Sequence, residues 1–129
     1  MRKVNMRKNI FGFLVLSILL VSNIAFCSRA LDDMFIGKQY IGMDSDTGYQ
    51  YYMTSMFPTY EGKRIASIHV GLEIRDVNNK VLERDASWTY FNTLDGWMLD
   101  KNHGSWDTVL EGSFEYKVLR YCQQMLGRY

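Results

Sequence analysis

The chain has 129 residues, a formal net charge of +1, 47% hydrophobic residues and 15% aromatic residues. This length favours one domain and excludes a large two-domain enzyme. The single proline and the aromatic content exclude a low-complexity chain, and two cysteines exclude a disulfide-dense scaffold or a Cys-rich zinc site. The near-neutral charge gives no indication of nucleic-acid binding.

The N-terminus carries the pattern of an export signal. Residues 1–30 hold five basic residues and no acidic one, and four of the five precede an uncharged apolar run at residues 10–21. A basic segment followed by an apolar one is typical of a secretory signal peptide. We therefore expect residues 1–30 to direct the protein to the periplasm, the cell surface or the medium. The alternative is an uncleaved anchor over residues 10–27.

The cleavage point has three candidates. A cut before Leu31 has small residues at positions −3 and −1, and a cut before Ser28 has Ala25 at position −3. A lipoprotein would instead begin at an acylated Cys27. Bulky Phe26 stands where a small residue is expected, which disfavours this lipid anchor.

The segment after the signal is acidic. Residues 31–129 contain ten Lys and Arg against fourteen Asp and Glu, which gives a net charge of −4. A nucleic-acid interface needs a basic surface to neutralise phosphates. The charge of residues 31–129 therefore excludes nucleic-acid binding more firmly than the charge of the full chain does. No repeat or Pro/Gly/Ser-rich linker divides residues 31–129, and we predict one domain with no membrane span once the signal is removed.

The first part of this domain predicts a hairpin of aromatic strands. Residues 38–43 and 49–56 are the two strand candidates, and the sequence between them, Asp-Ser-Asp-Thr-Gly, is typical of a turn. Residues 57–63 are predicted to be a loop, because they contain Pro58 and Gly62.

The clearest strand pattern covers residues 64–76. Apolar and polar residues alternate strictly, which predicts a strand of an antiparallel sheet with one buried face. A turn at residues 76–80 leads to a return strand at residues 81–93. The expected buried side chains on these two strands are Ala66, Ile68, Val70, Leu72, Ile74, Leu82, Ala86, Trp88 and Tyr90.

Shorter elements follow. Asp95 and Gly96 predict a tight hairpin turn, because both residue types tolerate a positive φ. Residues 97–99 are the next short strand, residues 101–105 a polar loop, and residues 106–110 a candidate last strand.

The C-terminus changes to a helical period. Residues 114–126 place apolar side chains three and four positions apart, with Ser113 as a candidate N-cap and Gly127 as a candidate C-terminal stop. The expected buried helix face consists of Phe114, Val118, Tyr121, Cys122 and Met125. Strands in series followed by one helix predict an α+β domain. We expect five or six antiparallel strands with the helix packed on one face.

No pattern indicates a catalytic, cofactor or metal site. His69 falls on the polar side of a strand and His103 in a loop, no ligand spacing links them, and no Gly-x-Ser-x-Gly sequence is present. The segment that starts at Asp44 begins like a calcium loop. It has Gly48 at position five and Ser55 at position twelve, where ligands are required, so it predicts a turn.

Cys122 is the candidate thiol. Its place on the apolar helix face predicts a lone buried cysteine. If Cys27 survives cleavage without a lipid, a Cys27–Cys122 disulfide is the next alternative, followed by pairing between chains.

Tyrosines cluster in the first half of the domain. Packing within the sheet accounts for most of them, since strands favour aromatic residues. The alternative is that a subset forms a protein-contact patch, because Tyr and Trp are enriched at binding hot spots. The candidates are Tyr49, Tyr51, Tyr52 and Trp97. Alternation along a regular strand places Tyr51 and Tyr52 on opposite faces.

Two segments resemble the surface-adhesin E family of small exported bacterial proteins. One is Glu-Gly-Ser-Phe-Glu-Tyr-Lys-Val-Leu-Arg-Tyr-Cys, which ends at Cys122 and follows Trp106; the other is Tyr-Tyr-Met-Thr-Ser-Met at residues 51–56. The resemblance implies an antiparallel sheet packed by a C-terminal helix, a surface or periplasmic location and binding of host matrix proteins. The family pairs its terminal cysteine with one in the domain body, whereas residues 31–121 contain none.

These features together predict an exported, non-enzymatic binding protein, adhesin-like or envelope-associated, with a protein partner and no cofactor. The alternative is a periplasmic inhibitor or immunity protein against a toxin or an enzyme, which small size, export and acidity also fit. A small hydrolase would need Asp107, Glu111 or His103 as acid or base, and no spacing supports that function.

Overall fold

The computed structural model describes residues 32–127, so the predicted signal peptide, its cleavage points and Cys27 lie outside the described residues. The described chain forms one open antiparallel sheet in which each strand pairs with its neighbours in sequence, followed by a C-terminal helix. This confirms the α+β prediction and sets the number of strands at six. The elements are β1 (Phe35–Met43), β2 (Gln50–Glu61), β3 (Arg64–Arg75), β4 (Val81–Thr93), β5 (Gly96–Asp100), β6 (Asp107–Thr108) and α1 (Phe114–Leu126).

The hydrophobic core lies between one face of the sheet and helix α1. We call this the inner face, and the opposite one the outer face. The alternating residues of β3 supply its centre, with Ile68, Val70 and Leu72 almost fully buried. Burial of each such side chain stabilises the fold by about 1.5–3 kcal/mol. The helix is tied to the sheet by the Tyr90 hydroxyl, which donates to the Glu115 carbonyl oxygen at 2.7 Å.

The prediction of a loop at residues 57–63 was wrong for residues 57–61, and the turn is confined to Gly62 and Lys63. Strand β2 continues through Pro58, which is paired with Ile68 of β3, and ends at Glu61. The pairing of β1 with β2 starts at Phe35 opposite Met56, so β2 is an edge beyond Met56. An edge strand tolerates proline, which lacks a backbone N–H, because no neighbouring strand on the open side needs that donor. The sequence shows the proline but not where the neighbouring strand begins.

Two of the predicted buried positions were also wrong, and irregular strand pairing explains both. The register between β2 and β3 shifts after Thr59, and Ile65 is buried there while Ala66 is only half-buried. The register between β3 and β4 shifts after Leu72, and Leu82 is exposed. An extra residue in one strand reverses the face on which the following side chains lie.

Helix α1 begins and ends where the sequence predicted. The hydroxyl of Ser113 accepts a hydrogen bond from the backbone N–H of Tyr116 at 3.1 Å, and Gly127 adopts the left-handed conformation with φ 68°. An N-cap satisfies one of the free N–H groups of the first turn, and glycine adopts the positive φ without steric cost.

The buried stripe of the helix is rotated relative to the prediction. Val118 and Cys122 are buried as expected, but Met125 is 42% exposed, while Leu119 and Gln123 are buried. The buried face therefore includes Leu119 and Gln123 in place of Met125, because the helix sequence alone does not determine the direction from which the sheet packs against it.

Candidate protein-contact site

The neighbouring tyrosines Tyr51 and Tyr52 lie on opposite faces of β2, as the alternation predicted. Tyr51 is on the inner face, where its ring centroid lies 5.6 Å from that of Trp88 and 4.6 Å from that of Phe114. Burial, with Asp44 and Glu115 nearby, raises the pKa of Tyr51 to about 12. Tyr51 is thus a packing residue, and Tyr52 is the member of the pair that the outer face presents.

A charged cluster lies beside Tyr52 on the outer face. The side chain of Glu73 is only 5% exposed, and its carboxylate accepts a hydrogen bond from Arg75 Nε at 2.7 Å. Lys38 Nζ from strand β1 lies 3.3 Å from the other carboxylate oxygen. The hydrogen bond from Arg75 lowers the pKa of Glu73, against the opposing effect of burial, and the ammonium of Lys38 adds to the lowering.

This cluster holds aromatic rings in fixed positions. The guanidinium of Arg75 lies 4.9 Å from the centroid of the Tyr52 ring, and it also donates to Asn79 Oδ1 at 3.0 Å. The ring of Tyr40 meets that of Tyr52 edge-on at 5.2 Å. A cation over an aromatic face and an edge-to-face ring pair are both favourable geometries. We call Lys38, Tyr40, Tyr52, Glu73 and Arg75 the outer-face cluster.

The other two predicted contact residues lie elsewhere. Tyr49 is partly exposed in the turn before β2, where its backbone N–H donates to Thr47 Oγ1 at 3.1 Å. Trp97 on β5 is half-buried and packs against the core, and its carbonyl accepts from the N–H of Val109 at 3.0 Å. The structure therefore does not bring Tyr49, Tyr52 and Trp97 into one patch.

A shallow depression of about 300 Å³ lies next to the outer-face cluster. Its floor includes Gly71, where a Cβ atom would collide with the hydroxyl of Ser55 and lie 3.1 Å from Thr54 Oγ1. A side chain at this position would require the Ser55 hydroxyl to move, because the opposing β2 residues approach the β3 backbone closely. The sequence analysis did not assign this glycine or the charged partners of Tyr52 to a site.

His69 stands at the edge of this depression. Its Nε2 lies 3.5 Å from Ser67 Oγ and its Nδ1 lies 3.4 Å from Thr89 Oγ1, both long contacts. The Ser67 hydroxyl is also 2.5 Å from Thr59 Oγ1, and Ser67 is buried. These side chains form a row of polar groups across three strands, in which the imidazole makes only the two long contacts.

The buried thiol has the environment that the helix pattern predicted. Cys122 is a free cysteine with no exposed surface. Burial raises its pKa to about 12, so the thiol stays protonated at neutral pH. A protonated, inaccessible thiol is a poor nucleophile and metal ligand.

The remaining acidic and histidine candidates are dispersed. Asp44 closes its turn by accepting from the N–H of Asp46 at 3.0 Å, Asp107 is exposed on β6, and His103 is exposed in the loop after β5. Within residues 32–127, no three His, Cys, Asp or Glu side chains are grouped as metal ligands would be.

Comparisons with known proteins identify no relative of the chain. Among residues 32–127, none of the helices has the length and apolar character needed to cross a membrane. The chain matches no protein-family model, and neither a curated protein nor a solved structure is significantly similar to it.

Proposed function

We propose that this chain is an exported, non-enzymatic binding protein whose partner is another protein, and that the outer-face cluster is its contact surface. The observation that carries the proposal is the cluster itself. Tyr40 and Tyr52 lie beside Arg75, on the face of the sheet opposite helix α1. Tyrosine and arginine are the residue types enriched at binding hot spots.

The fixed geometry of the cluster supports this assignment. Arg75 is held by Glu73 and Asn79, and Tyr52 is held between Arg75 and Tyr40. Side chains that are already ordered lose less conformational entropy when a partner docks. The cluster also combines apolar rings with satisfied charges, which suits a surface that must be stable in water and in a complex.

The resemblance of residues 51–56 and of the segment ending at Cys122 to the surface-adhesin E family points to an adhesin-like or envelope-associated role. The N-terminal export pattern fits the same role. A panel of purified host matrix proteins is therefore the first set of partners to test.

The test uses surface plasmon resonance with each matrix protein immobilised. The wild-type domain is compared with Tyr40→Ser, which is chosen because Tyr40 is 46% exposed and its removal leaves the core intact. Leu94→Ser is the matched control, since Leu94 is fully exposed in the turn between β4 and β5. We expect at least tenfold weaker binding for Tyr40→Ser alone. Equal affinity of all three proteins, or no binding to any matrix protein, would count against the contact surface or the matrix partner respectively.

A periplasmic inhibitor or immunity protein is the second candidate. The net charge of −4 over residues 31–129 favours it, because an acidic surface attracts basic toxins and enzymes. A toxin or lytic-enzyme gene beside the coding sequence, with protection lost in a deletion strain, would favour this function over adhesion.

A further inference from the structure

A second concavity, of about 270 Å³, lies where β4 extends beyond its pairing with β5, and Asp85, Ala86 and Ser87 line both it and the depression beside the outer-face cluster. Its floor is formed by inner-face residues that include Tyr51, Ile74 and Trp88, and its rim by acidic residues of β4 and by the loop after β5. Small-molecule sites usually exceed ~300 Å³. The space is instead suited to one long side chain.

The rim carries negative charge that nothing in the described chain neutralises. Glu83 and Asp85 both line the concavity and are exposed, and neither makes an ion pair within residues 32–127. The one cation beside them, Lys101, is paired with Glu115 at 2.6 Å. The two free carboxylates therefore favour a positively charged occupant.

The floor offers an unpaired hydrogen-bonding group. Tyr51 is 7% exposed, and its hydroxyl makes no hydrogen bond with any residue from 32 to 127. Buried polar groups are normally paired, so an unpaired one calls for a partner. Burial raises the pKa of Tyr51, and the nearby carboxylates of Asp44, Glu115 and Glu83 raise it further. A cationic hydrogen-bond donor would pair with the Tyr51 hydroxyl and would also be attracted by these carboxylates.

The aromatic lining of the concavity also favours a cationic occupant. Lys101 Nζ already lies 4.6 Å from the centroid of Trp88, which demonstrates that this wall accepts a cation over its ring. Among basic side chains, the planar guanidinium of arginine both stacks on aromatic rings and donates several hydrogen bonds in a fork.

We propose that this concavity binds the guanidinium of an arginine side chain, with Glu83 and Asp85 accepting its hydrogen bonds and Tyr51 accepting one from below. That the arginine belongs to a partner protein rests on the proposed function, whereas guanidinium binding itself does not.

The probe is the peptide acetyl-Gly-Arg-Gly-amide, with the citrulline peptide of the same shape as the uncharged control. Chemical shifts of the domain are followed by NMR during titration. We expect saturable shifts confined to residues 83–88 and 101–103 and to the Trp88 indole N–H, and no comparable shifts with citrulline. Equal shifts with both peptides, or shifts spread over the surface, would overturn the proposal.

Variants separate the pocket from general charge. Glu83→Gln combined with Asp85→Asn should weaken binding at least tenfold, whereas Glu61→Gln combined with Asp95→Asn, the same charge change at exposed distant positions, should not. Tyr51→Phe removes only the unpaired hydroxyl and should weaken binding several-fold. Equal losses in the two double variants would refute the site. The matrix-protein assay is independent of this result, so each proposal can fail alone.

Discussion

Replacement of Glu73 by Gln should destabilise the domain far more than its position on a surface strand suggests. The carboxylate makes a charge-assisted hydrogen bond with Arg75 Nε at 2.7 Å and contacts Lys38 Nζ at 3.3 Å. A hydrogen bond to a charged group contributes ~1.5–3 kcal/mol, and a pair with a half-exposed lysine contributes under ~1 kcal/mol. Glu73 lies on the face of the sheet opposite helix α1, and Lys38 and Arg75 are partly exposed, so we expect a loss of about 2 kcal/mol rather than the ~3–5 kcal/mol of a deep ion pair.

The assay is thermal and urea unfolding, followed by near-UV circular dichroism. A loss of 2 kcal/mol lowers the Tm of a domain of this size by about 8–16 °C. Glu61→Gln is the matched control, because Glu61 contacts Arg64 at 2.9 Å but is 76% exposed, and it should cost under ~0.5 kcal/mol. Equal Tm values for the two variants would refute the reasoning.

The pH dependence supplies a second criterion. The folded-state pKa of Glu73 is lowered from the usual value of 4.5, so the unfolded state binds a proton more readily than the folded state. The stabilisation is therefore complete above the unfolded-state pKa and is lost as the pH falls through the lower folded-state pKa. The stability difference between the wild type and Glu73→Gln should be constant from pH 6 to 7.5 and should shrink below about pH 4.5. A difference that does not change with acidification would show that the carboxylate charge is not its source.

Three further outcomes follow from the packing. Cys122 should not react with Ellman's reagent at pH 8 in the folded protein and should react fully in 6 M guanidinium, because the thiol is buried and its pKa is raised to about 12; rapid native labelling would contradict this. Leu119→Ala should cost ~2–5 kcal/mol in urea unfolding, whereas Met125→Ala, on the exposed side of the same helix, should cost under ~1 kcal/mol, and the reverse order would refute the rotated helix face. Tyr90→Phe should cost ~0.5–1.5 kcal/mol by removing the hydrogen bond to the Glu115 carbonyl, and a neutral effect would show that this bond does not help to hold the helix.

The sequence predicted strands and helix ends correctly where residues nearby in the sequence determine whether a side chain is buried or a backbone group is hydrogen-bonded. The alternation around Ile68, Val70 and Leu72 needs only a sheet with one buried face, and the helix ends at Ser113 and Gly127 need only local backbone hydrogen bonds. For the same reason, the opposite orientation of Tyr51 and Tyr52 follows from strand geometry alone.

The errors arose where a second strand decides the outcome. Pro58 remains in a strand because β1 does not extend beside it, and Leu82 is exposed because the β3–β4 register shifts between Leu72 and Arg75. Neither register is visible in one strand's own sequence. The candidate site was missed for the same reason, since Lys38 and Glu73 are 35 positions apart and meet only across the sheet.

A local signal for the outer-face cluster was nevertheless present. Glu73 and Arg75 are two positions apart on a strand, so they share a face, and both fall on the polar side of the alternation in β3. The pairing of β2 with β3, which the sequence analysis did not predict, brings that side to Tyr52, because Tyr52 is directly opposite Glu73. The pattern could therefore identify a same-face ion pair but not its aromatic neighbour.

Glu73 connects stability with the proposed binding surface. The carboxylate holds Arg75, and Arg75 lies over the ring of Tyr52, so the charge that stabilises the sheet also orders the side chains that would meet a partner. A surface ordered in the free protein loses little entropy on binding, and its cost is included in folding instead. The acidic concavity differs in this respect, because within residues 32–127 Glu83 and Asp85 have no cationic partner and the Tyr51 hydroxyl makes no hydrogen bond. The outer-face cluster is thus paired in the free protein, whereas the concavity has carboxylates that the proposed guanidinium would pair. Reversal of the charges of Glu83 and Asp85 should therefore abolish binding at the concavity and leave the fold stable. Reversal of the charge of Glu73 should instead destabilise the fold.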